Sequence, residues 1–249
     1  MIPDVPPEEL AAVLDECAAG VLWEADVAGP PVDAVTVAGR TGLVVAADHR
    51  QPGRARFVRL ASSAGDGEGQ GTIVIGHAER PEREQWAVAH EIGEAVAHRV
   101  FDALAIRPNA APADAREWVA SQLAGCLLLP HRWFARDGAE CDWDLFMLKD
   151  RYATASHELI ARRMLDMLPP IVITVCDLGR VHWRRTNGMG RAPRMLPAEL
   201  DLWQHAHDTG LAACEAPDPD ATGLEEIRCW PIHEAGWKRE ILRSQIAEW

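Results

Sequence analysis

The sequence predicts an α+β fold from three observations. Short Val- and Ile-rich segments lie between residues 43 and 77, long stretches of helical period follow at 81–104 and 113–129, and a hairpin-like pair occupies 171–185. Together they describe a small β-sheet packed on a long helix, a helical middle part, and a smaller α/β part on the C-terminal side.

Taken in order, Pro7 to Ala19 reads as a helix, and after the Gly29-Pro30-Pro31 break a second is expected over Val32–Arg40, ended by Gly42. Leu43–Asp48, Arg56–Ser62 and Thr72–His77 read as strands, the last a candidate edge that an extended peptide could join. The glycine-rich link Ser63–Gly71 lacks a Gly-Lys-Ser/Thr ending and carries two acids, which suits a hairpin tip better than a phosphate cradle. From Pro81 the period becomes 3.6: Pro81 fits a first helical position, Glu82 and Glu84 favour the first turn, and Trp86, Ala89, Gly93, Ala97 and Val100 recur on one side as far as Leu104. After a break at Pro108–Pro112, Ala113–Leu129 forms a second apolar helix stopped by Pro130. Asp142–Arg151 and Ala155–Leu168 read as shorter helices in a helix-turn-helix-like arrangement, and Ile171–Cys176 with Arg180–Arg185 as a strand pair. The order of elements beyond Met195 stays open. Pro169-Pro170 is the expected boundary between a domain at 1–168, including the segment 142–168, and an extension at 169–249.

Composition narrows the function. Among 249 residues, 25 Lys and Arg stand against 38 Asp and Glu, a net charge of −13, which argues against a chain that coats nucleic acid or an anionic membrane. One basic stretch, 179–194, reads as a solvated hairpin and loop. In the helix-turn-helix-like segment Lys149, Arg151, Arg162 and Arg163 are offset by Asp142, Asp144, Asp150, Glu158 and Asp166, so direct nucleic-acid binding is not expected. No apolar run reaches the roughly 18 residues of a membrane span, and the first residues lack a secretory pattern; a cytoplasmic protein is expected. The 6 cysteines form no Cys-x-x-Cys pair, so free thiols are the expectation.

Chemistry concentrates in Ala89-His90-Glu91-Ile92-Gly93-Glu94 on the long helix. A zincin helix sets two metal ligands at i and i+4, on one face, with an acid beside the first ligand to accept a proton from water. Here His90 and Glu94 take the ligand positions and Glu91 the base position. His98 cannot share an ion with His90, lying about 12 Å along the axis and roughly 80° around it on a regular helix. A third ligand must come from elsewhere, and Glu117, opening the next apolar helix, is the natural choice, although an acid in a first turn is also explained by the helix dipole.

The block from Glu82 to Gly93, followed by Glu117-x-x-Ala120 and Leu127-Leu128-Leu129-Pro130, resembles the ImmA/IrrE family of metallopeptidases. So do Pro30–Asp33 with Ala38–Leu43, and Arg151–Ser156 before a helix ending at Met164, so that the likeness runs over about Ala11–Leu168. It implies a zincin-like fold, His90, Glu94 and Glu117 as ligands of a divalent metal, zinc in the first place, and Glu91 as catalytic base. Glu94 stands where the family usually has a second histidine. Replacing that imidazole by a carboxylate cancels the residual charge of the site, which weakens zinc as a catalyst and tilts preference toward manganese or iron. The implied activity is metal-dependent hydrolysis of a peptide bond in a protein substrate, for this family a DNA-binding repressor in stress or mobile-element regulation. The alternative is a catalytically silent relative that binds a regulator or peptide. His131, His157 and Tyr152 are candidate donors to an oxyanion, with nothing in the spacing to choose among them, and Trp183, Trp203, Trp230, Trp237 and Trp249 are candidates for core or for a ligand pocket.

Overall fold

The computed structural model describes residues 5–52, 56–60, 70–77, 80–107 and 113–247. It resolves two compact units, one comprising 1–141 and 149–156 and the other 142–148 and 157–249. The first contains α1 (Pro7–Glu24), α2 (Ala34–Arg40), β1 (Val44–Pro52), β2 (Arg56–Leu60), β3 (Gln70–His77), α3 (Pro81–Ala103), α4 (Ala113–Leu128) and α5 (His131–Glu140). The helix α6 (Leu145–Arg151) straddles the division. The second contains α7 (His157–Met164), β4 (Ile171–Asp177), β5 (Arg180–Thr186), α8 (Pro197–Thr209), β6 (Ala213–Glu215), α9 (Pro219–Thr222), β7 (Leu224–Glu234) and β8 (Trp237–Ile246).

In the first unit α1 outruns its expected end at Ala19, because Val21 and Leu22 continue its buried face. Helix α2 starts at Ala34 rather than Val32, since the Asp33 carboxylate accepts from the Thr36 N–H at 2.9 Å and caps the first turn. The three-stranded sheet has the order β1-β3-β2, with β1 parallel and β2 antiparallel to β3. Thr72–His77 is therefore the central strand, an ordinary paired strand and not the candidate edge, with β1 on one side and β2 on the other. Most of the glycine-rich link Ser63–Gly71 lies outside the described residues.

The core is built on α3 and α4. Val88, Ala89, Ile92, Ala97 and Val100 of α3 are buried with Val119, Ala120, Leu123 and Leu127 of α4, each of the Val, Ile and Leu side chains contributing about 1.5–3 kcal/mol when fully removed from water. At Gly93 the two backbones approach so closely that a Cβ would sit 2.6 Å from the Ala120 carbonyl oxygen. Pro130 does stop α4, yet it also serves as N-cap of α5, a short amphipathic helix whose Phe134 and Asp137 turn inward. Tyr152 packs edge-on against Phe134 at 5.5 Å, and its hydroxyl donates to Asp137 Oδ2 at 2.9 Å.

The second unit is an antiparallel sheet of order β5-β4-β8-β7-β6, with α8 across one face. The sequence assigned all of 142–168 to the front domain, whereas the structure groups 142–148 and 157–168 with this sheet. Side-chain bonding explains the difference: Glu158 on α7 accepts from Trp183 Nε1 on β5 at 2.9 Å and from Arg239 on β8 at 2.6 Å. Arg184, from the basic stretch, is drawn inward to pair with the fully buried Glu199, both guanidinium contacts being 2.9 Å. Glu199 also accepts from the Leu196 N–H at 2.8 Å, which fixes the start of α8, and Gly210 at φ +69° closes its end. All six cysteines are free thiols. Among the described residues no helix is long and apolar enough to cross a membrane.

Candidate metal centre

Two antiparallel helices supply the centre. Glu94 meeting Arg116 and His90 meeting Ser121 are the cross-pairs expected when α3 and α4 run in opposite directions, and the missing Cβ of Gly93 lets them come together. His90 Nε2 lies 3.2 Å from Glu117 Oε1. Its other ring nitrogen, Nδ1, is 3.4 Å from the Ser121 hydroxyl, a long contact that nonetheless fixes the ring's rotation. Glu94 completes the group: His90, Glu94 and Glu117 each offer one ligand atom, and these atoms lie within 4.8 Å of one another.

The donors differ in exposure. The His90 side chain is 17% exposed and that of Glu117 69%, so the group opens to solvent on the α4 side. Glu91, the next residue to the histidine, is buried. One imidazole and two carboxylates gathered this closely are a donor set that suits a divalent cation, with zinc, manganese and iron all compatible with the donor types.

Arg116 is an unforeseen member. Its Nε donates to Glu94 Oε2 at 2.9 Å and its terminal nitrogen to the Glu94 carbonyl at 3.1 Å. The charge argument from sequence, which left a His/Glu/Glu site neutral with a divalent ion, therefore changes: a guanidinium against Glu94 returns one positive charge to its edge. Its 62% exposed side chain is screened by water, so the restored field is weaker than that of a missing ligand charge. Arg116 gives no periodic signal in the sequence. Ser121, four residues after Glu117, shares its helical face and was legible by that spacing.

The other candidates fall elsewhere. Tyr152 is fully buried, and burial together with its bond to Asp137 holds the phenol well above its ordinary pKa. It is a core residue, not an oxyanion donor. His131 lies 3.5 Å from Asp15 and His98 Nδ1 3.1 Å from the Ala95 carbonyl, while His157 belongs to the second unit, edge-on to Phe146. The basic residues of the helix-turn-helix-like segment are paired to carboxylates: Lys149 to Glu82, Arg151 to Glu140, Arg162 to Glu158 and Arg163 to Asp166. Of the tryptophans, Trp183, Trp203 and Trp230 direct their indole N–H to Glu158, Glu240 and Asp144, and Trp237 lies beneath Arg239; Trp249 is outside the described residues.

Residues 45–164, which hold all of these helices from α3 to α7, match the IrrE N-terminal-like domain family. This part of the chain carries a domain of the ImmA/IrrE type, with which the α+β, zincin-like fold and a metallopeptidase-like character are consistent. Over its wider length the chain is similar in fold to a solved Mycobacterium tuberculosis transcriptional regulator, with a TM-score of 0.64 at 18% identity, covering 96% of this chain and 80% of the other. No curated protein matches the sequence significantly.

Proposed function

We propose that this protein is a metal-dependent endopeptidase that hydrolyses a peptide bond in a protein substrate, within a cytoplasmic regulatory response. The observation that carries this reading is the convergence of His90, Glu94 and Glu117 next to the buried acid Glu91 in a domain of the ImmA/IrrE type. His90, Glu94 and Glu117 would hold the cation, whose Lewis acidity would assist water attack on a carbonyl. Ser121 keeps the His90 ring turned toward the ligand cluster through Nδ1. Glu91 would accept the proton of the attacking water at a carboxylate oxygen and return it to the leaving amine. The exposed side at Glu117 is where an extended segment of substrate would enter. A DNA-binding repressor is the proposed substrate; the resemblance supports it, and the similarity in fold to a transcriptional regulator is compatible with it.

The second reading, a silent relative that binds a regulator or peptide, is favoured by one observation. Arg116 already neutralises Glu94, so the position that usually carries a histidine is satisfied by a salt bridge without a metal.

Glu91→Gln decides between them. Purified full-length chain, loaded with zinc or manganese, is incubated with extract of the producing organism, and new protein N-termini are compared for the wild type, the variant and a chelated control. The endopeptidase reading expects termini that appear with the wild type only, with cleavage slowed by about 10²–10⁴-fold in Glu91→Gln. Equal cleavage by both proteins, or none by the metal-loaded wild type, overturns it. In the second case, activity gained on Glu94→His would identify the silent reading.

A further inference from the structure

The second unit brings together another set of donors, far apart in sequence. In the hairpin of β7 and β8, turned at Gly236 with φ +77°, Pro231 pairs with Glu240 and His233 with Lys238. Residues 231 and 233 share a face of β7, so His233 and Glu240 stand diagonally across one surface of the sheet. That surface is covered by α8, whose Leu202 and Ala206 are buried with Leu224, Ile227, Cys229 and Leu242. The next residue of the helix, His207, closes the group. His207 Nδ1 is 2.9 Å and His233 Nε2 2.7 Å from the same oxygen, Glu240 Oε1, and the ligand atoms of the three side chains lie within 4.8 Å of one another.

Glu240 is 0% exposed, so its charge is removed from water and needs a counter-charge or a metal. Among the described residues, its bonding partners are the two imidazoles and the indole of Trp203, which donates to Oε2 at 3.0 Å; no guanidinium or ammonium pairs with it. This division of labour is that of a metal ligand with outer-shell support: a neutral N–H fixes one oxygen and leaves the other facing two imidazole nitrogens. Tetrahedral zinc, with bonds of about 2.0–2.1 Å, needs ligand atoms roughly 3.3 Å apart, a spacing reached from these contacts by small side-chain rotations. Two imidazoles and one carboxylate are borderline donors of the kind that favours zinc over magnesium or calcium.

We propose that His207, His233 and Glu240 form a second metal site, for zinc or a similar transition-metal dication, which ties the end of α8 to the β7–β8 hairpin. It is independent of the centre on α3 and α4. Partial exposure of both histidines, 26% and 21%, leaves room for water as a fourth ligand.

The test uses untagged full-length protein carrying His90→Ala and Glu117→Ala, which disables the first cluster, freed of metal by chelation and titrated with zinc or cobalt. One equivalent is expected to bind, with the visible d–d absorption of tetrahedral cobalt and a raised melting temperature. Adding His233→Ala should weaken binding by more than about 100-fold, and His233→Cys should restore it, because thiolate is also a zinc ligand. Trp203→Phe, which keeps every ligand, should weaken it by about tenfold. A protein folded by circular dichroism that takes up no zinc, or equal affinity with His233 present or replaced by alanine, overturns the proposal and leaves the trio as a hydrogen-bonded network. Peptidase activity is not read, so failure here says nothing against the first centre.

Discussion

Water reaches the two histidine–carboxylate clusters to very different extents: Glu117 of the first is 69% exposed, whereas Glu240 of the second is wholly buried. The second oxygen of a key carboxylate is held in both, but by a charged and exposed Arg116 at Glu94 and by the neutral indole of Trp203 at Glu240. An exposed carboxylate ligand can give way to substrate, as a catalytic site requires, whereas a buried one would hold a cation more firmly and contribute to the fold. Placement agrees. The first cluster lies on the facing surfaces of two long helices next to a buried acid, and the second ties a helix end to a hairpin.

The largest separable effect is expected at Gly93. A methyl group there would meet the Ala120 carbonyl at 2.6 Å, and neither helix backbone can yield locally. Although alanine gains up to about 1 kcal/mol of helix propensity, overpacking costs about 1–3 kcal/mol or more, so Gly93→Ala should separate α3 from α4 and lower stability. Urea unfolding measures the loss, and zinc titration should show the first cluster impaired with the second retained. Unchanged stability and full uptake at both would mean that the close approach does not set the first centre. A smaller effect follows from Ser121→Ala, which frees the His90 ring but removes no ligand. The contact is long at 3.4 Å, so metal affinity at the first cluster should fall by about tenfold, the low end for outer-shell partners, and the second cluster should not respond. Calorimetry of the wild type and variant checks this, and equal affinities would refute a positioning role for Ser121.

How far each cluster was legible in the sequence follows from the elements that carry it. His90 and Glu94 follow from helical spacing and Glu91 from its place beside the first ligand, whereas Glu117, on the next helix, was nominated by opening that helix and by the family resemblance. Arg116 escaped because a neighbour in sequence lies about 100° round the helix and reaches Glu94 only through its length and flexibility. The second cluster was invisible for a different reason. His207, His233 and Glu240 come from three elements beyond Met195, and β8 carries Glu240, Arg243 and Ser244 in buried positions, which erases the alternation by which a strand is recognised. Helix α8 had readable ends, Pro197 with Glu199 at its start and Gly210 after it, but the ends of a helix do not say which strands its face will meet. The domain boundary at Pro169 followed the strongest break in the chain, whereas the actual grouping of α7 follows bonds from Glu158 to β5 and β8 that no local pattern encodes.

Arg116→Ala should give the smallest change and the most telling one. Its salt bridge with Glu94 is largely exposed, so its loss should cost less than about 1 kcal/mol of stability. In binding, the guanidinium competes with a cation for the same carboxylate, and its removal should tighten zinc at the first cluster by up to about fivefold, the equivalent of 1 kcal/mol. In catalysis the sign reverses: the positive charge that partly makes up for the second glutamate is gone, a polarised carbonyl is stabilised less, and cleavage should slow by a similar factor. Affinity from calorimetry and rate from the cleavage assay should therefore move in opposite directions. If both fall together, Arg116 holds Glu94 in place for the metal instead of contending with it. No change in either would make the pair an ordinary surface contact, leaving the His/Glu/Glu site as electrically neutral as its ligand charges imply.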